Sequence, residues 1–416
     1  GLIPVKARPN LPGYAVGRMH AATELDSAPG ATIVGAGPAG LALAVALAAS
    51  GIPSTVLEQA PLDSLADPPE DGRDIALTHR SRRILETLGI WERLPAGEIA
   101  PLRRAQVSSG SSPFVLPFDA HAQGHEALGW LVPNHRIRAA CHAAALAQPA
   151  IHLVGNARVS AFRRSAESAT VRLDDGREWC APLVVAADSR FSGLRRLAGM
   201  GASMTDFGRS AIVCRMTHEA DHDGVAHECF RHGNTLAILP MAGRQSSAVL
   251  TVRADEAAAW LALNDTEFSR RIAGQFENRL GAMRLAGERH CYPLVAVYAD
   301  AFASDRLALV GDAAVGMHPV TAHGYNFGLY GIERLTASLH ALKLQGRDLG
   351  DTAALQRWAA EHRRTTWPVY QGTNAIVRLF TNDQPVAHLA RGAVLRLASR
   401  LPPLKAAITR QLTGGA

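Results

Sequence analysis

Short apolar runs, each closed by a glycine or an acid, set the rhythm of this chain. Ala31-Thr-Ile-Val leads into Gly35, Ser54-Thr-Val-Leu into Glu58, Leu183-Val-Val-Ala-Ala into Asp188, and Leu307-Ala-Leu-Val into Gly311. Successive apolar positions over so few residues predict buried strands, and the Ala/Leu-rich segment after Gly40 predicts the helix that follows the first of them. Residues from about 203 to 295 behave differently. Ala211-Ile-Val-Cys-Arg, Thr235-Leu-Ala-Ile-Leu and Ala248-Val-Leu-Thr-Val carry β-type patterning, with a helix expected near Phe268 to Leu280. Further helices are expected over His79 to Leu88 and from Asn134 through Cys141 to Leu146. Strands are expected near Val107 to Phe118, at Ile151–Val154, Val159 to Phe162 and Thr170 to Leu173, with a hairpin turn at Asp174-Asp175-Gly176 before Trp179.

The ends of the apolar runs carry the candidate chemistry. Gly35-Ala-Gly37-Pro38-Ala39-Gly40 follows a strand and opens a helix, and a second strand ends in Glu58-Gln59. Gly35 permits a tight turn, Gly37 lets backbone approach a pyrophosphate, and Gly40 lets helix and strand pack closely. Glu58 stands at the usual distance to accept ribose hydroxyls, which favours FAD or NAD over a 2′-phosphorylated ligand. Far downstream, Gly311-Asp312 leads through His318-Pro319 to His323-Gly324-Tyr325-Asn326 at the start of a Gly-rich helix. A strand-end carboxylate suits a ribityl hydroxyl, and a helix N-terminus suits the charged edge of a reduced flavin. Between the two lies Asp188-Ser189-Arg190-Phe-Ser192-Gly-Leu-Arg195, in which Asp188 is either a local loop cap or part of the FAD and nicotinamide site. Arg138, on its helix, presents a guanidinium fork suited to a pyrophosphate.

These three motifs, in this order, resemble the group A FAD-dependent aromatic monooxygenases. Asp71-Gly72-Arg73-Asp-Ile-Ala-Leu, Leu88-Gly-Ile-Trp91 and the His-Pro-x-x-x-x-Gly-x-Asn-x-Gly-Leu string resemble their ubiquinone-biosynthesis branch (UbiH/UbiF type), and the Ala-Val-Gly-Met-His-Pro-Val-Thr-Ala-His variant resembles UbiM. The resemblance runs from Ala31 to the C-terminus. It implies an α/β protein like para-hydroxybenzoate hydroxylase, with a Rossmann-type FAD-binding domain interrupted by a mixed β-sheet substrate domain and followed by a helical tail. It further implies ring hydroxylation by O2 through a flavin C4a-hydroperoxide, with NAD(P)H as electron donor and an aromatic, prenylated substrate. Arg73 would lie near the FAD phosphates and ring, and His318 and Pro319 beside the isoalloxazine. His323 would orient substrate, shuttle protons, or serve only as a polar residue at the helix start. Three departures stand out: Ser189 replaces the family's glycine, Ala322 another glycine, and His323 the common glutamine. A soluble-phenol hydroxylase and a flavin-binding subunit without catalysis remain open alternatives.

Composition narrows the class. With 416 residues, 47% of them hydrophobic and 19% charged, the chain can bury a large core. The expected division places residues 29–105, 130–200 and 296–345 in the FAD-binding domain, 106–129 and 201–295 in the substrate sheet, and 346–416 in a helical region. Residues 1–28 read as a leader outside the fold, with Met19 a candidate start. The net charge of +6 comes without a nucleic-acid motif, so no nucleic-acid partner is expected. Five scattered cysteines without a Cys-x-x-Cys pair fit a reducing, cytoplasmic compartment. No metal is expected, since His218, His222, His227, Cys229 and His232 match no zinc spacing. From Val386 to Lys405 apolar residues alternate with arginines at near-helical spacing. That is the layout of a helix lying on the inner-membrane surface, or of one packed against the protein itself. Assembly into a biosynthetic complex is the other partner expectation.

Overall fold

The computed structural model describes residues 25–27, 30–109, 115–121, 124–231, 233–317, 323–381 and 385–400. Its organising element is a six-stranded sheet in the order Ala303–Ser304, Leu307–Leu309, Leu183–Ala186, Ala31–Val34, Ser54–Leu57 and Ile151–Val154. All but the edge strand Ala303–Ser304 run parallel. The short apolar runs thus become neighbours despite sequence gaps of more than a hundred residues. Helices Pro38–Ala49 and His323–Leu344 pack on each other beside this sheet. Leu41, Leu43 and Leu47 of the first are buried to within 1%, and each contributes about 2 kcal/mol of apolar burial.

The second layer is a large mixed sheet. Its order is Val315–Gly316, His290–Ala299, Ala202–His218, Gln245–Arg253, Thr235–Pro240, Val225–Phe230, Arg104–Ser109 and Val115–Asp119, with Met283–Leu285 attached to Ala202–His218. Helix Asp265–Gln275 covers one face, packing Phe268 and Ile272 against Cys214, Leu236 and Leu250. The other face turns toward the parallel-sheet unit, where Arg215 meets the fully buried Asp74 carboxylate at 2.9 Å and the Tyr292 hydroxyl donates to Asp71 O. A three-stranded sheet (Asp74–Leu77, Gly129–Pro133, Ala100–Leu102) lines that junction, and a separate four-stranded sheet carries the Asp-Gly hairpin. Helices Thr352–Thr381 and Pro385–Arg400 form the C-terminal part.

Most expected elements form within a residue or two of their sequence cues; Asn134–Leu146 and Ile151–Val154 coincide with them. One helix is shorter than expected. The helix near Phe268 to Leu280 spans Asp265–Gln275 instead, its start capped by the Asn264 side chain, which accepts from the Glu267 amide at 2.8 Å. It ends early because Glu277 and Asn278 take φ of +59° and +54°, a left-handed turn that no α-helix continues through.

Candidate functional site

The carboxyl ends of four parallel strands converge on one edge, where ligands bind open α/β sheets. Val34 leads into Gly35, Leu57 into Glu58, Ala186 toward Asp188, and Leu309 toward Gly311 and Asp312. A cleft of about 610 Å³ opens there, lined by Gly35, Glu58, Gln59, Asp188 and Ser189 among others.

Glycine is demanded at two points of this cleft. Gly35 has φ of +110°, and a Cβ there would lie 2.3 Å from Ala187 O; a Cβ on Gly40 would lie 1.9 Å from Gly35 O. Gly37 differs, because a Cβ there would meet nothing within 4 Å. It is the N-cap of Pro38–Ala49, with Pro38 at the first turn, so the helix N-terminus opens onto free space. Unsatisfied amides and the positive dipole end make that space suited to a pyrophosphate, and Gly37 leaves the cradle unfilled. Glu58 spans the turn beneath it, its Oε2 accepting from the Ala36 amide and its Oε1 from the Ala60 amide, both at 2.9 Å.

The second half of the site adjoins the first. Gly311 has φ of +60°, and its Cβ would come within 2.8 Å of Ala39 Cβ, so the two glycine turns touch. Gly324, in the first turn of His323–Leu344, is close enough that an added Cβ would lie 4.0 Å from Asp312 Oδ1. Asp312 sits deep in the protein, yet 43% of its side chain stays accessible. Burial pushes its carboxyl pKa upward, and the positive charges of Arg190, 3.7 Å away, and Arg73 oppose that shift. Arg73 is held by Asp71 at 2.7 Å, and Asn134 donates to the same carboxylate at 2.8 Å. These residues fit an elongated dinucleotide: an amide-lined cradle at one end, then an acid beside a helix N-terminus with a cation alongside.

Several expected site residues have other partners. Asn326 is buried and clamps the fold, its Oδ1 accepting from the Thr78 amide at 3.1 Å and Ser81 Oγ at 2.5 Å, its Nδ2 donating to Ala76 O at 2.8 Å. Tyr325 points at Pro38 O and Cys141 Sγ, 3.5 and 3.7 Å away, and burial raises its pKa well above the usual tyrosine range. Their backbone amides, not their side chains, belong to the helix start. Arg138 is half-buried, and no described contact links it to the cleft. Asp188 caps its loop, accepting from Ser192 Oγ at 2.5 Å and the Leu194 amide at 3.2 Å, and also lines the cleft. Ser189 is not in the left-handed region, and its Oγ accepts from the Phe191 amide at 3.2 Å, so its side chain fits where the family has glycine. His318, Pro319, Ala322 and His232 lie outside the described residues, as does the side chain of His323.

The sequence reading gave no role to the arginines of the Asp188 loop. Arg195, 3% exposed, donates to Ala313 O at 3.0 Å and Arg190 O at 3.1 Å, while Arg190 donates to Val295 O at 2.7 Å. The loop thereby ties the Gly311-Asp312 turn to the large sheet. Of the histidine run, His218 binds Ser246 Oγ and Ala220 O, His222 binds Met241 O, and His227 packs on Phe276. Among the described residues no group of three or more His, Cys, Asp or Glu is placed to hold a metal.

Comparison with known proteins agrees with this geometry. The model of the family described as FAD binding domain matches residues 30–373. Ubiquinone hydroxylase UbiM of Neisseria meningitidis is 42% identical over 92% of this chain and 84% of its own. Ubiquinone hydroxylase UbiL of Rhodospirillum rubrum is 36% identical over 98% and 96%. Among solved structures, p-nitrophenol 4-monooxygenase PnpA of Pseudomonas putida superposes with a TM-score of 0.76 at 18% identity, covering 94% of this chain and 100% of that one, a likeness of fold. With the cradle, the Asp312 turn and these relatives in agreement, the chain belongs to the FAD-binding-domain family, as an FAD-dependent aromatic-ring monooxygenase.

Proposed function

We propose that this enzyme hydroxylates the ring of a polyprenylated phenol in ubiquinone biosynthesis, with NAD(P)H as electron donor. The observation that carries the reading is the continuous path from the Gly37 cradle to Asp312 and the helix start at Gly324, in a chain 42% identical to a ubiquinone hydroxylase. FAD, when bound, supplies the electrons and the chemistry that activates O2. The protein's own residues do the rest. With FAD bound, the amides of Gly37 and of Ala39 and Gly40 in the first turn of the helix would hold the pyrophosphate, Glu58 would fix the turn and accept from ribose hydroxyls, and Asp312 would accept from the ribityl chain. The helix start at Gly324 offers amides to the negative edge of the ring. The large sheet covers the reacting region and keeps water out.

A prenylated substrate implies work at a membrane surface. No described helix is long and apolar enough to cross a membrane. Helix Pro385–Arg400 does expose Val394 and Leu397, 44% and 57% accessible, while Ala387 and Leu395 are buried. That outward apolar pair supports peripheral attachment from the cytoplasmic side. The test is to express the chain in a bacterial strain unable to hydroxylate its ubiquinone precursor and to identify the quinone intermediates by mass. Restored ubiquinone supports the reading, and the block relieved gives the ring position. Precursor accumulating beside well-expressed, FAD-loaded protein contradicts it.

A further inference from the structure

The inner face of the large sheet carries a carboxyl that nothing described so far uses. Strand pairing aligns Val107, Glu228, Ala237, Val249, Val213 and His290 in one row across the sheet, so their side chains share a face. The neighbours Cys229, Leu236 and Leu250 point the other way, into the core under helix Asp265–Gln275. The face bearing Glu228 is therefore the one that meets the FAD-binding unit. At the far end of the row, a Cβ on Gly72 would lie 2.7 Å from the His290 ring and 3.3 Å from Val213 O, which places the Arg73 loop against that end. Glu228 stands three strand spacings from Val213, about 14 Å along the sheet. Between them the row is apolar.

The surroundings of Glu228 are apolar too. Val107, Ala105 and Phe230 of the same face pack with Phe118, Leu128 and Leu395. No described hydrogen bond or ion pair engages the carboxyl, and burial alone raises its pKa to about 8. On this face the charged or titratable groups of the sheet include Arg253, two strands away and paired with Asp255, Arg209 and Arg215, three strands away, the second of them paired with Asp74, and His290 and Tyr292, four strands away. The elements packed over it present Phe118, Leu128 and Leu395, and the helix bearing Leu395 also carries the buried Arg391 one turn earlier. A lone carboxyl on an apolar floor is costly unless a ligand engages it.

We propose that Glu228 binds the hydroxyl of the aromatic substrate and takes its proton as the ring is attacked. The inference rests on the hydroxylase reading above. The O–H bond breaks, its proton passes to a Glu228 carboxylate oxygen, and its electron pair moves onto the ring, making the carbon to be hydroxylated more electron-rich. The oxygen and electrons come from O2 and the reduced cofactor of the established activity. A carboxyl whose pKa lies within about two units of a phenol's is well matched to that transfer.

The test uses FAD-loaded protein with 2-prenylphenol and its methyl ether as probes. Calorimetry on the wild type should show about tenfold tighter binding of the phenol than of the ether, and Glu228→Leu should erase that preference. Glu228→Gln keeps a hydrogen-bonding group but no base, so the binding preference should persist while kcat falls about 100-fold at nearly constant KM. The rise of rate with pH through about 8 should disappear with it. Glu228→Asp should recover part of the rate. A Leu variant that keeps the preference, or a Gln variant with unchanged kcat and pH profile, overturns the role of Glu228 and leaves the hydroxylase reading intact. A wild type that prefers the phenol through Glu228 but never hydroxylates it overturns the hydroxylase reading alone. A wild type showing neither overturns both.

Discussion

The FAD cleft and the inner face of the large sheet bound the same reaction yet are built from opposite materials. The cleft is made of backbone: positive-φ glycines, helix-start amides and strand-end acids whose positions tolerate few residue types. The sheet face is made of side chains such as Val107, Ala237 and Val249, which many apolar residues would replace, with a single carboxyl among them. Cofactor binding is thus fixed by steric necessity, whereas the proposed substrate contact rests on one carboxyl set among apolar neighbours. The cleft should respond sharply to the smallest substitutions; the sheet face should tolerate them except at Glu228.

The largest effect should come from Gly40→Val. Even one added carbon at Gly40 would stand 1.9 Å from Gly35 O, so helix and strand must separate. Loss of soluble, cooperatively melting protein is expected, and a normal melt would show that the packing is looser than described. Asn326→Ala should cost about 3 kcal/mol, because it strips partners from the Thr78 amide, Ser81 and Ala76 O in a buried position. Denaturant unfolding of the apoprotein checks this, and a cost below about 1 kcal/mol would return Asn326 to a purely ligand-facing role.

Gly37→Ala separates cradle from fold. Nothing opposes its Cβ, so stability should stay within about 0.5 kcal/mol while FAD affinity drops about tenfold by fluorescence titration. Equal affinities would remove the pyrophosphate from that position. Glu228→Gln should raise stability, and the increment should depend on pH. Glu228 titrates near 4.5 when unfolded and about 8 when folded, so the folded state holds its proton longer. The penalty it imposes is absent below about 4.5, grows between the two values and is complete above about 8. The Gln variant should therefore melt several degrees above wild type at pH 8.5 and nearly level with it at pH 4.5. Equal increments at both would deny the burial of the carboxyl. The smallest effect is expected from Ser189→Gly, since that backbone needs no glycine; NAD(P)H-driven flavin reduction should change less than twofold.

The same contrast explains what was legible in the chain. Gly35, Gly40 and Gly311 could be read because their chemistry is local: a tight turn leaves a fixed spacing behind. The four strand runs were visible for the same reason, being short, mostly apolar and closed by a glycine or an acid. Asn326 looked like part of the flavin motif because it sits inside the string, but its partners lie some 250 positions away in Thr78 and Ala76. Arg195 has no local signature, since its acceptor Ala313 O comes from a distant turn. Glu228 was hidden for a third reason. Alternation shows that it and Cys229 face opposite ways, but which face looks inward depends on where helix Asp265–Gln275 packs. The early end of that helix was written in Asn278, a residue tolerant of left-handed backbone.

The central claim is that this chain uses FAD to place an atom of molecular oxygen on an aromatic ring. The direct measurement is mass analysis of the product from FAD-loaded protein, NAD(P)H, 2-prenylphenol and oxygen-18 gas. The account predicts a hydroxylated ring carrying one oxygen-18 atom. A hydroxyl derived from water, or NAD(P)H consumed with only hydrogen peroxide formed, would contradict it.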